Sequence, residues 1–97
     1  MPEEILATVV DPDGRNVDLT GERWAHIADG HPELALYRNE VLETVRAPSR
    51  RRPGRTLGEE WFYGERVGPS RWLKVVVRYE ATGRGWIVTA FARRSMP

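Results

Sequence analysis

Apolar residues recur along this chain in two rhythms, one of period two and one of about 3.6, and the changes of rhythm mark its elements. Residues 5–10, ILATVV, are short, apolar and rich in β-branched side chains, while residues 15–19, RNVDL, alternate polar and apolar. Between them Asp11-Pro12-Asp13-Gly14 places proline and glycine where a tight turn uses them, so residues 1–19 read as an N-terminal hairpin. Thr20 then stands where a helix N-cap belongs, Glu22 falls in the first turn, and Trp24, Ile27 and Ala28 form a one-sided stripe that Gly30 ends. This predicts a first helix of about ten residues. Pro32 suits the first position of a second helix and Glu33 complements its dipole. Leu34, Tyr37, Val41, Leu42 and Val45 then recur at helical spacing up to Ala47-Pro48, so the two helices occupy residues 20–47.

Residues 49–58, SRRRPGRTLG, are basic and broken by Pro53 and two glycines, and read as a loop or a ragged edge strand. Three strand candidates follow, at 60–67, 72–80 and 85–93, separated by Gly68-Pro69-Ser70 and by residues 81–84, and predict an antiparallel meander within residues 60–94. The order hairpin, two helices, three strands specifies an α+β fold with both helices on one face of an antiparallel sheet and the other face partly open. A chain of 97 residues has room for one core, so residues 1–97 are expected to form a single domain.

Composition narrows the chemistry. No stretch approaches the roughly 18 consecutive apolar residues of a membrane span, and the first ten residues do not resemble a secretory leader, so a cytoplasmic protein is expected. The absence of cysteine removes disulfides, thiolate catalysis and the usual structural zinc sites. There is no Gly-rich phosphate loop, no serine nucleophile elbow and no dinucleotide fingerprint, and no cofactor is expected. The formal net charge of +1 conceals a segregation: residues 1–45 hold three arginines against ten acids, a net of −7, and residues 46–97 hold eleven arginines and Lys74 against four acids, a net of +8. Fourteen of the fifteen cations are arginine, whose planar fork suits bidentate phosphate contacts and stacking on bases. A GC-rich genome would also favour arginine codons, but would not segregate the charge.

In residues 72–80 the period of two puts Leu73, Val75, Val77 and Tyr79 on the core side and Trp72, Lys74, Val76, Arg78 and Glu80 on the open side. In the last strand Trp86, Val88 and Ala90 are expected to cover the helices, leaving Ile87, Thr89, Phe91 and Arg93 open. Alternating cations and apolar residues, with tryptophan at the edge, would floor a phosphate chain and stack a base; they also describe an ordinary solvated sheet face. His26 lies off the apolar stripe of its helix. His31 precedes Pro32 and is expected either to cap the second helix or to point out beside its start. Five residues apart, with only Asp29 or Glu33 near in sequence, the two histidines do not have the spacing of a helical zinc pair.

The segments LTGERWAHIADGHPEL, VRAPS and WFYGERVGPSRWLKVVVRYEATGRGWIVTAF resemble phage-type members of the barnase, EndoU, colicin and RelE-like nuclease superfamily, from about Leu19 to Arg94. The resemblance implies two helices followed by an antiparallel sheet, and a metal-independent ribonuclease used as a toxin or effector. RNA supplies its own nucleophile, the 2′-OH, so cleavage to a 2′,3′-cyclic phosphate needs a base, an acid and cations around the phosphorane. His26 is expected to be the principal acid or base, with His31 as its partner or orienter. Carried over from the family's pattern, Thr89 and Tyr63 would hydrogen-bond the phosphate or base, and Arg78 with Lys74 would neutralise developing charge. Arg50, Arg51, Arg52, Arg93 and Arg94 would give RNA-binding affinity, and Trp72 would stack. RNA is the expected partner, with an acidic inhibitor protein if the chain is a toxin, and the opposite charges of its halves also permit a homodimer. The competing readings are a catalytically silent nucleic-acid- or protein-binding module, and an interaction protein.

Overall fold

The computed structural model describes residues 4–95. Strands β1 (Ile5–Val10) and β2 (Asn16–Thr20) form the expected hairpin. Helix α1 (Gly21–Gly30) follows at once, because Thr20 holds an extended backbone and its Oγ1 accepts the Arg23 N–H at 3.1 Å. The second helix is shorter than its apolar spacing predicts. Pro32–Leu34 form a 3-10 turn, closed by Leu34 N–H on His31 O and Ala35 N–H on Pro32 O, and helix α2 begins only at Arg38 and runs to Arg46. Leu34, Val41 and Val45 are nonetheless all fully buried. The proline-led segment bonds i to i+3 while keeping the core-facing stripe.

The rest is sheet. The basic segment supplies an edge strand, β3 (Arg50–Pro53), with Pro53 at its end, followed by β4 (Glu59–Glu65), β5 (Trp72–Tyr79) and β6 (Gly85–Arg93). The six strands lie in the order β1-β2-β6-β5-β4-β3. The α+β architecture is the one expected, but the sheet is mixed, because β2 lies parallel to β6 where an antiparallel arrangement was predicted. This pairing spans only Val17–Gly85 and Asp18–Trp86. Beyond it β6 has no strand on that side, and α1 and the Pro32–Leu34 turn pack there instead.

Val17, Leu19, Ile27, Phe62, Leu73, Val75, Val77, Ile87 and Ala90 join the three helix-side residues in one core between helices and sheet. Within β6 the alternation fails at one place. Val76 pairs with Thr89 but Val77 pairs with Ile87, so Val88 is an extra residue bulged out of β6. The bulge turns Ile87 into the core and leaves Trp86, opposite Arg78, on the other face, reversing both expectations. Ala90 remains buried, and Thr89, Phe91 and Arg93 keep the open face.

The hairpin turn is tied back across the core-side end of β3–β5. Asp11, its side chain wholly buried, accepts the Arg15 Nε–H at 2.8 Å and the Tyr79 hydroxyl at 2.7 Å, and Arg15 lies 3.6 Å over the Tyr79 ring. Arg51 bonds both Asp13 and Glu60, and Arg15 bonds Glu60 at 2.9 Å. Burial pushes the Tyr79 hydroxyl far above its usual titration range, and the Asp11 charge adds to this.

Candidate functional site

The antiparallel register assembles the open face. Tyr63 and Phe91 lie directly opposite Lys74, Trp61 and Thr89 opposite Val76, and Glu65 and Arg93 opposite Trp72; Arg52 and Arg50 stand beside Trp61 and Tyr63 from the edge strand. Residues paired across a ladder share a face, so all these side chains project to the side away from the helices.

Lys74 is the centre of this face and was expected to be exposed on it. It is 6 % exposed. The reason is cross-strand neighbours: its Nζ lies 3.5 Å from the Trp61 ring centroid, 5.5 Å from Phe91 and 5.8 Å from Tyr63, a cage in which the ammonium meets three electron-rich faces. Among the described residues Lys74 makes no hydrogen bond and no ion pair. None of the fully buried polar side-chain atoms lacks a partner, so the unpartnered amine opens to solvent at the mouth of the cage. Burial, and then repulsion from Arg93, Arg55 and Arg52, lowers the Lys74 pKa against a weaker pull from Glu59.

The surrounding groups are held in place. Trp61 Nε1 donates to Glu59 at 2.7 Å, and Glu59 also accepts from Thr56 and faces Arg78 at 3.7 Å, which fixes the indole over Lys74. Trp72 was expected at the edge of the face as a stacking platform; it is 9 % exposed, its ring edge-on to Tyr63 at 6.3 Å, and supports the cage from beneath. Tyr63 is fully buried, and burial raises its pKa despite nearby Arg52 and Arg93.

His31 reaches this face. Its side chain makes no capping hydrogen bond to the following turn; its ring instead stacks on Phe91, 5.6 Å between centroids. It can do so because β2 leaves β6 after two residue pairs and the end of α1 fills the vacated edge. Glu33 lies 3.6 Å from His31 Nδ1, an ion pair when the imidazole is protonated. His26 is exposed on α1, as its off-stripe position predicts, and none of the hydrogen bonds, ion pairs or ring contacts among the described residues involves it.

The remaining candidates divide by face. Arg93 is half-buried beside Phe91, and Thr89 is half-buried on the same strand. Arg50 and Arg52 are exposed on the edge strand and Arg94 just beyond β6. Arg78 lies four residues from Lys74, roughly 13 Å along the strand, and pairs with Glu59. Arg51 is on the opposite face, bound to Asp13 and Glu60, with its guanidinium 5.1 Å over Phe62.

The structure adds three residues to the sequence-derived set, Trp61, Glu59 and Arg55, and makes Phe91, already expected on the open face, a wall of the cage. Strand alternation puts Trp61 and Tyr63 on one side of β4, but only the pairing register shows that this side is the one that carries Lys74. Among the described residues no three histidine, aspartate or glutamate side chains gather where a metal ion could be held, and no helix is long and apolar enough to cross a membrane. Comparison of the chain with models of known protein families, with curated proteins and with solved structures gave no match.

Proposed function

We propose that this protein binds single-stranded RNA across the open sheet face and cleaves it, without a metal, by attack of the 2′-OH on the adjacent phosphate. The observation that carries the reading is Lys74: an amine nine-tenths buried, without a carboxylate or hydrogen-bond partner among the described residues, ringed by aromatic faces, with Arg52, Arg55 and Arg93 around it. Gathering cations around a desolvated amine is costly, and an incoming phosphate would relieve the repulsion among the arginines. The aromatic rings beside it offer stacking surfaces for unpaired bases, a sequence-tolerant contribution of about 1–3 kcal/mol per base.

His31 is the proton-transfer group of this proposal, because it is the histidine that borders the face. Arg93 and Arg52 hold the phosphate, and Thr89 and Tyr63 line the seat on either side of Lys74. The resemblance of residues 19–94 to the barnase and RelE-like nucleases supports the same reaction class. An acidic inhibitor or a second copy would be a partner consistent with the basic face.

The test is cleavage of mixed cellular RNA in excess chelator by wild type and by the His31→Ala and His26→Ala variants. Cleavage should persist in chelator, end in 2′,3′-cyclic phosphates, fall by roughly 10²- to 10⁴-fold in His31→Ala, and survive largely intact in His26→Ala. Intact RNA with folded protein, or equal rates for wild type and His31→Ala, overturns it. RNA binding without cleavage would leave the silent binding module as the correct reading.

A further inference from the structure

The chain has one lysine among its fifteen basic residues, and the fold places that lysine in the aromatic cage. Arginine would serve as well as lysine to hold a phosphate, and every other cation of the chain is arginine. What arginine cannot do is give up its proton under physiological conditions, whereas a desolvated lysine can. We propose that Lys74 works as a neutral amine and is the general base that takes the 2′-OH proton, with His31 as the acid across Phe91. This rests on the RNA-cleavage reading of the face.

Burial and the neighbouring cations favour the neutral form, against the cation–π contacts of the cage and the charge of Glu59. From β3 and the turn after it come Arg52 and Arg55, from β6 Arg93, and from β4 Tyr63, which burial keeps protonated. From the end of α1 His31 stands behind Phe91, and Arg78 lies farther along β5. The carboxylate of Glu59 acts on Lys74, and it is already engaged by Trp61, Thr56 and Arg78. These are the arrangements that lower a lysine pKa: desolvation and adjacent cations, with no carboxylate bound to the amine among the described residues.

The step balances without any other reactant. The Lys74 lone pair accepts the 2′-OH proton as the 2′-oxygen bonds to phosphorus; the P–O5′ bond then breaks, and the leaving oxygen takes a proton from the His31 imidazolium. A 2′,3′-cyclic phosphate and a free 5′-OH remain, with Lys74 protonated and His31 neutral, and exchange with water resets both.

Because Lys74 is the sole lysine, lysine-specific isotope labelling gives one side-chain amine signal, and its NMR titration in the wild-type protein reads the site directly, independent of activity. The expected midpoint lies below the ordinary lysine value of about 10.4. Lys74→Arg and Lys74→Met, checked for folding by tryptophan fluorescence, should both lose roughly 10²- to 10⁴-fold in single-turnover cleavage, while Lys74→Arg retains RNA binding. The wild-type rate should follow the bell-shaped pH profile of a base and an acid acting together, with the Lys74 titration setting one limb. An ordinary midpoint, or Lys74→Arg cleaving as fast as wild type, overturns the inference and leaves the nuclease reading standing. A low midpoint in a protein that cleaves no RNA overturns the nuclease reading, and this role with it.

Discussion

One buried carboxylate, that of Asp11, carries the closure of the hairpin over the core. Burial alone would raise its pKa, but hydrogen bonds from Tyr79 and Arg15 outweigh this and lower it below the ordinary 3.8. Asp18 follows the same pattern, with Arg84 and Thr8 as its donors. A depressed folded-state pKa means stabilisation that is fully present above the unfolded value and is lost as pH falls through the folded one. Denaturant unfolding at neutral pH and at successively lower pH below 4 should therefore show stability declining across the acid range. Tyr79→Phe should lower stability by about 1.5–3 kcal/mol at neutral pH, since it removes a buried hydrogen bond to a charged group. The variant should also lose stability less steeply as the pH is lowered. Of these residues only the turn role of Asp11 was visible in the sequence, because the partner of its carboxylate is 68 positions away.

At the scale of elements, helix α2 is seated against the sheet through Gly64 of β4. A Cβ added there would lie 2.6 Å from Thr44 Oγ1 and 2.6 Å from Val67 Cγ2, so Gly64→Ala should push the helix off the strand. Overpacking of this kind costs typically 1–3 kcal/mol, and thermal unfolding of the variant measures it. The helix stripe, the Thr20 cap, the hairpin and three of the sheet strands were legible from local pattern because each is decided within a few neighbouring residues. Three features were not. The start of α2 depends on how the chain bonds after Pro32; the status of residues 50–53 depends on β4 offering a ladder; and the parallel contact of β2 with β6 depends on the whole path between them. The candidate site divides in the same way. Alternation identified Lys74, Thr89, Phe91 and Arg93 as open-face positions, whereas the burial of Lys74 and Trp72, the cage around the amine and the contact of His31 with Phe91 are products of register and helix docking.

At the scale of the molecule, the charge segregation of the chain is partly cancelled by folding. Arg51 and Arg84 from the basic half pair with Asp13 and Asp18 from the acidic half, while Arg50, Arg52 and Arg93 stay on or beside the open face. RNA affinity should accordingly fall with salt, and Arg93→Ala should reduce the slope of log affinity against log salt by about 0.7, the value for one phosphate contact on a single strand. Arg51→Ala, on the far face, should weaken the fold without altering that slope, and fluorescence titration at several salt concentrations separates the two. The bulge at Val88 has a consequence of a different sort. Side chains on either side of it answer to opposite phases of the strand, so the division of β6 between core and site depends on Val88 staying out of the ladder. Val88→Ala should be tolerated, and so should deletion of Val88, because Ile87 would then be followed directly by Thr89, which keeps Ile87 and Ala90 inside and Thr89, Phe91 and Arg93 open. What would exchange the two faces is a straightened strand of unchanged length: with Val88 drawn into the ladder and Ile87 still inside, Thr89, Phe91 and Arg93 would turn inward and Ala90 outward.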